Sequence, residues 1–210
     1  SHAVPFTYQG RDGKQYVAVA AGGGVAGEGG AAHSLAVRSD GTVWGWGSNF
    51  QGQLGIGAAF SASTPVQAIG LSNIVAVAAG SFHSLALRDD GTVWAFGANT
   101  DGQIGDGTVA NRSTPIQVPT QSNARAVSAG ASHSVAMHGD GTVWAWGSNS
   151  AGQLGNSTTA QSSTPVQASN LINVVAVAAG HTHSVAVKRD GTVWGWGFNG
   201  DGELGNGTKS

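Results

Sequence analysis

The sequence predicts an all-β fold of four β-propeller blades, each about 50 residues long, and three observations carry that prediction. The pair His-Ser recurs at His33, His83, His133 and His183, and Asp-Gly-Thr-Val-Trp begins at Asp40, Asp90, Asp140 and Asp190, so the period is 50 residues without slippage. A fixed period of that length marks a repeat architecture. Within each period, short apolar runs alternate with turn residues, and no segment sustains a helical period. Finally, 35 of the 210 residues are Gly and only 10% are charged while 40% are hydrophobic, which suits tightly packed short strands rather than disorder.

The second period shows the elements in order. Ile74–Ala79 is an apolar first strand ending at Gly80. His83–Arg88 alternates, with His83, Leu85 and Leu87 on one face. Asp89-Asp90-Gly91 is a hairpin turn, since Asp-Gly tolerates positive φ. Thr92–Gly97 is the third strand, and a Gly-rich connection leads to a fourth at Thr114–Val118, where Pro115 demands an edge position. Four strands per period describe a propeller blade. The repeats occupy 24–70, 71–120, 121–170 and 171–210, the last incomplete because no Ser-Thr-Pro strand follows Trp196. Residues 1–23 fall outside the register. Phe6–Tyr8 and Gln15–Val19 flank Gly10-Arg11-Asp12-Gly13, and this predicts a β-hairpin serving as an extra edge element.

Composition excludes several partner classes. The net charge is −2 and Lys/Arg form no cluster, so nucleic acid and anionic membrane surfaces are not expected partners. Apolar runs such as Val174–Ala179 are too short to cross a bilayer. With no Cys there is no disulfide or thiol chemistry.

The repeated residues read as scaffold. His33, His83, His133 and His183 sit one per blade around a ring, so their imidazoles do not converge on one ion. A His at a strand start instead satisfies backbone groups of a neighbouring strand or blade. Trp44, Trp94, Trp144 and Trp194 begin Trp-x-Trp-Gly or Trp-Ala-Phe-Gly runs, whose aromatic rings at spacing two share one face and pack between blades. Each buried Trp removes roughly 200 Å² from water, an upper bound of about 5 kcal/mol. The Asp of each Asp-Gly turn serves turn geometry. The Gly-x-Leu/Ile-Gly runs precede no helix that would cradle phosphate, and Asp101–Asp106 holds too few oxygens for Ca²⁺. No nucleophile, base and orienter stand together, so no catalytic, cofactor-binding or metal-binding residue is assigned and the chain is expected not to be an enzyme. Residues that differ between repeats are the recognition candidates: Phe50, Phe82, Arg112, His138, His181 and Phe198, of the types that anchor protein interfaces.

The recurring pattern AAGxxHSLAL…DGTVWxWGxNxxGQLG…STPxxV resembles the regulator of chromosome condensation repeat family over residues 25–210. The resemblance implies a propeller, seven-bladed in well-known members, with a face that binds another protein. Those members include a nucleotide exchange factor for a small GTPase and a bacterial β-lactamase inhibitor. The expected function is a protein–protein interaction module working through face loops, with guanine-nucleotide exchange as the alternative. Residues 5–23 also look like the C-terminal strand region of quinoprotein dehydrogenases, but they carry none of that family's cofactor or metal ligands. A quinoprotein-like redox fragment is the third reading, and no cofactor is expected. Four blades of a roughly seven-fold ring leave two apolar end faces open, which predicts a homodimer that completes the ring. In it, the segment Gln15–Ala21 could supply the strand missing from the fourth blade.

Overall fold

The computed structural model describes residues 13–23 and 32–209. These form fifteen strands, with no helix among the described residues. The first blade is β1 (Tyr16–Gly22), β2 (His33–Arg38), β3 (Val43–Gly47) and β4 (Ala62–Gln67). The second is β5 (Ile74–Ala79), β6 (His83–Arg88), β7 (Val93–Gly97) and β8 (Arg112–Gln117). The third is β9 (Ala124–Ala129), β10 (His133–His138), β11 (Val143–Gly147) and β12 (Ser162–Gln167), and the fourth is β13 (Val174–Ala179), β14 (His183–Lys188) and β15 (Val193–Gly197). Each blade is an antiparallel meander in chain order. The first strands β1, β5, β9 and β13 stand side by side at the axis, and the fourth strands lie outermost and exposed. Pro65, Pro115 and Pro165 fall in those outermost strands, where an unpaired edge absorbs the missing N–H.

The turns close as their residues require. Asp90 Oδ1 accepts hydrogen bonds from the Thr92 N–H (2.9 Å) and Thr92 Oγ1–H (2.6 Å), and Gly91 takes a positive φ of 84°. The same arrangement recurs at Asp40, Asp140 and Asp190.

The hydrophobic core is divided into three seams between successive blades. In the seam between blades two and three, Leu85, Val93, Ala95 and Ile104 of one blade meet Ala136 and Trp146 of the next. Leu35 and Val43 meet Ala86 and Phe96 in the first seam, and Val135, Val143 and Leu154 meet Ala186 and Trp196 in the third. Each blade therefore has a leading face, rich in branched aliphatics, and a trailing face carrying Ala and the second aromatic of β3, β7, β11 or β15.

One sequence expectation is corrected. Tyr16–Gly22 is no extra edge element but the first strand of the first blade, paired with β2 through Val19↔Ala36 and Ala20↔Leu35 just as Val77↔Ala86 and Ala78↔Leu85 pair in the second. Its sequence, Tyr-Val-Ala-Val-Ala-Ala-Gly, matches Ile74–Gly80, so that the counterpart of Val77–Gly80 is Val19–Gly22. Residues 24–31, an insertion of eight in the β1–β2 connection, displace the match from the 50-residue register. The other half of the expected hairpin, Phe6–Tyr8, lies outside the described residues. Because β1 belongs to the first blade, Gln15–Ala21 does not supply a strand to the fourth, which has three strands among the described residues.

The four blades form an open arc. Val43, Val93 and Val143 on the leading faces of the first three blades are 0% exposed, whereas Val193 at the same position of the fourth is 71% exposed.

Candidate functional site

The four-fold His-Ser pair is the strongest chemical motif in the sequence, and it lies at the seams. Ser84 Oγ donates to the Gln53 carbonyl oxygen (2.7 Å), so its lone pair is left to accept from His33 Nε2–H (2.9 Å) in the preceding blade. His83 to Ser134 to Gln103, and His133 to Ser184 to Gln153, repeat the relay. The sequence predicts rings that satisfy backbone groups, whereas each Nε2 meets a Ser hydroxyl, and it is the hydroxyl that reaches the backbone carbonyl. The direction of the relay assigns the Nε2–H tautomer and leaves each Nδ1 without a proton; Nδ1 of His33, His83 and His133 has no partner among the described residues.

That tautomer suits its surroundings. The imidazole fills the space a Cβ would take on the glycine ending the inner strand, and a Cβ on Gly80 or Gly130 would also come within 2.5 Å of the carbonyl of Gly130 or Gly180 in the next blade. Only glycine permits that approach. Burial pushes His33 and His133 down to about 4 and His83 down to about 3, and neighbouring imidazoles add to the effect at His83 and His133. Neutral rings strung one per seam are hydrogen-bond stitches. They are placed neither as a general base nor as a metal cluster, and no group of three His, Cys, Asp or Glu able to hold a metal occurs among the described residues.

The stitch needs its acceptor carbonyl held in place, and sequence reasoning missed the side chains that hold it. Asn49, Asn99, Asn149 and Asn199 are buried, as are Gln53, Gln103 and Gln153. Asn99 Oδ1 accepts the Ile104 N–H (2.9 Å) while its Nδ2 donates to the carbonyls of Thr108 (3.1 Å) and Ala110 (3.0 Å), pinning the β7–β8 connection. Gln103 Oε1 accepts the Asp101 N–H (2.9 Å), and the Gln103 carbonyl then faces the seam, where it also takes the Trp146 Nε1–H (2.9 Å). The sequence does carry a signal: Asn and Gln recur at a strict 50-residue spacing in a connection whose other residues vary, as side chains with fixed buried partners would.

The first Trp of each blade sits differently from the second. Trp44, Trp94 and Trp144 are half-buried and Trp194 is exposed; each Nε1–H donates to the Thr of its own turn. Arg38, Arg88 and Lys188 lie over the rings of Trp44, Trp94 and Trp194, and His138 stacks on Trp144 at 5.6 Å. The Asp-Gly carboxylates are committed acceptors: Lys14 and then Thr42 hold Asp40 well below the usual carboxylate range, and Thr92 lowers Asp90. Neither environment makes a base.

Of the six recognition candidates, two are tied into the fold. Arg112 forms an ion pair with Asp106, whose carboxylate also accepts Thr108 Oγ1–H (2.7 Å). His138 is buried under Trp144 with Nε2 against Gln121 Oε1 (2.8 Å). The other four emerge at one end of the arc, where the β1–β2 and β3–β4 type connections lie. Phe82 is half-buried, and the exposed His181 lines an axial depression of about 290 Å³ together with the glycines that end the inner strands. Phe50 and Phe198 are exposed in the outer connections, together with Phe60.

Comparison with known proteins agrees with this geometry. The RCC1-like domain model matches residues 4–210. Human WBSCR16 superposes with a TM-score of 0.80 over 92% of this chain and 50% of that one, at 24% identity. Yeast RCC1 (Prp20), solved bound to Kap60, gives 0.70 over 80% and 42%, at 27% identity. Prp20p from Saccharomyces cerevisiae, studied for its binding properties to Gsp1p and histones, gives 0.71 over 84% and 45%, at 26% identity. The chain thus spans half or less of the length of these structures. No curated protein matches it by sequence.

Proposed function

The chain belongs to the RCC1-like domain family, and on that footing we propose that it is a non-enzymatic protein-binding module whose partner docks on the end of the arc carrying the β1–β2 and β3–β4 type connections. The observation that carries this reading is the exposure of Phe50, Phe60 and Phe198 there. The scaffold does not ask for them: the matching positions hold Thr100, Ser150 and Gly200 for Phe50, Ala110 and Ala160 for Phe60, and Ser48, Ala98 and Ser148 for Phe198. Exposed aromatic rings at one end are anchors for a protein surface. The likeness to Prp20 makes Gsp1p, histones and Kap60 the first partners to try.

The test is a titration of these proteins against the chain and against a triple variant, Phe50→Ser, Phe60→Ala and Phe198→Ser, which installs residues the other repeats already use. Binding by the chain that drops at least tenfold in the variant supports the reading. No binding by any of them, or equal binding by the variant, overturns it. Guanine-nucleotide exchange is the second reading, favoured by the Prp20 likeness alone. It predicts faster release of a labelled guanine nucleotide from a small GTPase, which simple binding does not.

A further inference from the structure

The β2–β3 type turns lie at the end of the blades away from the phenylalanines, and there a groove of about 460 Å³ runs between the first and second blades. Its floor is apolar. Val17 of β1 and Val75 of β5 stand at the same position of neighbouring inner strands, one residue after the pairs Tyr16↔Arg38 and Ile74↔Arg88, and are 62% and 53% exposed. One rim is the turn of the second blade, where Asp89 is exposed. The turn does not require Asp89, because Asp90 supplies its acceptor and Ser39, Gly139 and Arg189 stand at the matching positions. The Asp89 carboxylate makes no hydrogen bond or ion pair among the described residues. The other charges of the lining are engaged: Lys14 (2.7 Å) and Thr42 hold Asp40, and Arg38 lies over the Trp44 ring. The groove thus joins an apolar floor to one free negative charge.

The third blade shows which side chain fits along such a turn. Arg125 stands at the Val75 position and Gly139 at the Asp89 position, and Arg125 Nε lies 3.2 Å from the place a Cβ would take on Gly139. That blade lays its own guanidinium along its turn and offers it no carboxylate. The second blade carries the reverse pair, a short Val that leaves the space open and an Asp where the guanidinium would come. We propose that the groove between the first two blades seats an arginine side chain of a partner protein, with its aliphatic stem over Val17 and Val75 and its guanidinium on the Asp89 carboxylate. An arginine stem covers apolar surface while its planar head forms charge-assisted hydrogen bonds with a carboxylate, so one residue type satisfies both parts of the groove. The site stands apart from the partner that docks on the phenylalanines.

Nitrogen–proton spectra of the labelled chain, titrated with the acetylated and amidated tripeptide Gly-Arg-Gly, test it. Saturable shifts are expected at Asn73, Val75 and Asp89. The same tripeptide with citrulline in place of arginine keeps the shape without the charge and should bind about fivefold more weakly. Asp89→Gly, which installs the residue of the third blade, should weaken the arginine tripeptide to the same extent. Val75→Arg, which lets the second blade fill its own groove as the third does, should keep a folded spectrum and abolish the shifts at Asn73 and Asp89. The triple phenylalanine variant should bind the tripeptide as the unaltered chain does. Absence of saturable shifts at these residues, equal binding of the citrulline tripeptide, undiminished binding by Asp89→Gly or Val75→Arg, or loss of binding in the triple variant overturns the proposal.

Discussion

The seam between blades two and three and the open face of blade four are made from nearly the same residues. Leu85, Val93, Ile104 and His83 line the first; Val185, Val193, Leu204 and His183 line the second. In the first every one is buried, the imidazole is relayed through Ser134 to Gln103, and Trp146 closes the gap. In the second the same pattern meets no blade among the described residues. The difference teaches that burial in this fold belongs to the pair of blades rather than to the position in the repeat. The repeat encodes a surface complementary to the next repeat, as expected of a quasi-one-dimensional array. The charge pattern agrees: the interior positions hold neutral Gln53, Gln103 and Gln153, and the open blade carries Glu203.

The contrast can be broken most sharply with one substitution made twice. Val93→Asp puts a carboxylate into a closed seam and should abolish cooperative folding or cost several kcal/mol. Val193→Asp puts it on an exposed face and should leave the unfolding of the single arc within about 0.5 kcal/mol. Thermal melts followed by near-ultraviolet circular dichroism read both. Equal losses would mean that the open face is covered within one chain.

Acid comes next. His33 and His133 titrate near 4 and His83 near 3 in the fold, against 6.5 when unfolded. The unfolded chain therefore binds the extra protons first, so stability is full above pH 6.5 and falls as pH drops through that value toward 4 and then 3. A fall in pKa from 6.5 to about 4 corresponds to about 3 kcal/mol per ring. Denaturant midpoints at pH 7 and pH 4.5 should differ accordingly, and midpoints that do not move would place the rings in solvent.

A smaller effect separates the two kinds of Ser. Ser134→Ala strands a buried Nε2–H and removes one bond from the Gln103 carbonyl, at a cost of about 1–3 kcal/mol. Ser34→Ala, made at a hydroxyl without a partner among the described residues, should leave the unfolding of the single arc unchanged. Urea titrations of the two variants compare them directly.

Much of this arrangement was legible in the sequence. The blades follow from the 50-residue period, the Asp-Gly turns and the alternation in β6 and its counterparts, because each repeat solves the same packing problem with the same residues. The first blade was misread for a physical reason: eight residues inserted at a connection shift the register without altering the strand they follow. Arg112 and His138 read as recognition residues because they vary, yet each varies together with its partner. Only the repeat with Arg112 has Asp106, where the others hold Ile56, Asn156 and Asn206. Only the repeat with His138 has Gln121, where Leu71 and Leu171 stand elsewhere. Comparing repeats in pairs of positions would have exposed both couplings. Phe50 and Phe198 vary with no such compensation and stay partner-binding candidates, and the structure adds the exposed Phe60 to them.

The measurement that reaches the centre of this account is the protonation state of the imidazoles, read by long-range nitrogen–proton correlation on the labelled chain from pH 7 to pH 4.5. The account predicts that His33, His83 and His133 are neutral, carry the proton on Nε2 and stay so down to pH 5. Titration of these three rings near 6.5, or a proton on Nδ1, would contradict it, because the relay that joins one blade to the next could not then exist.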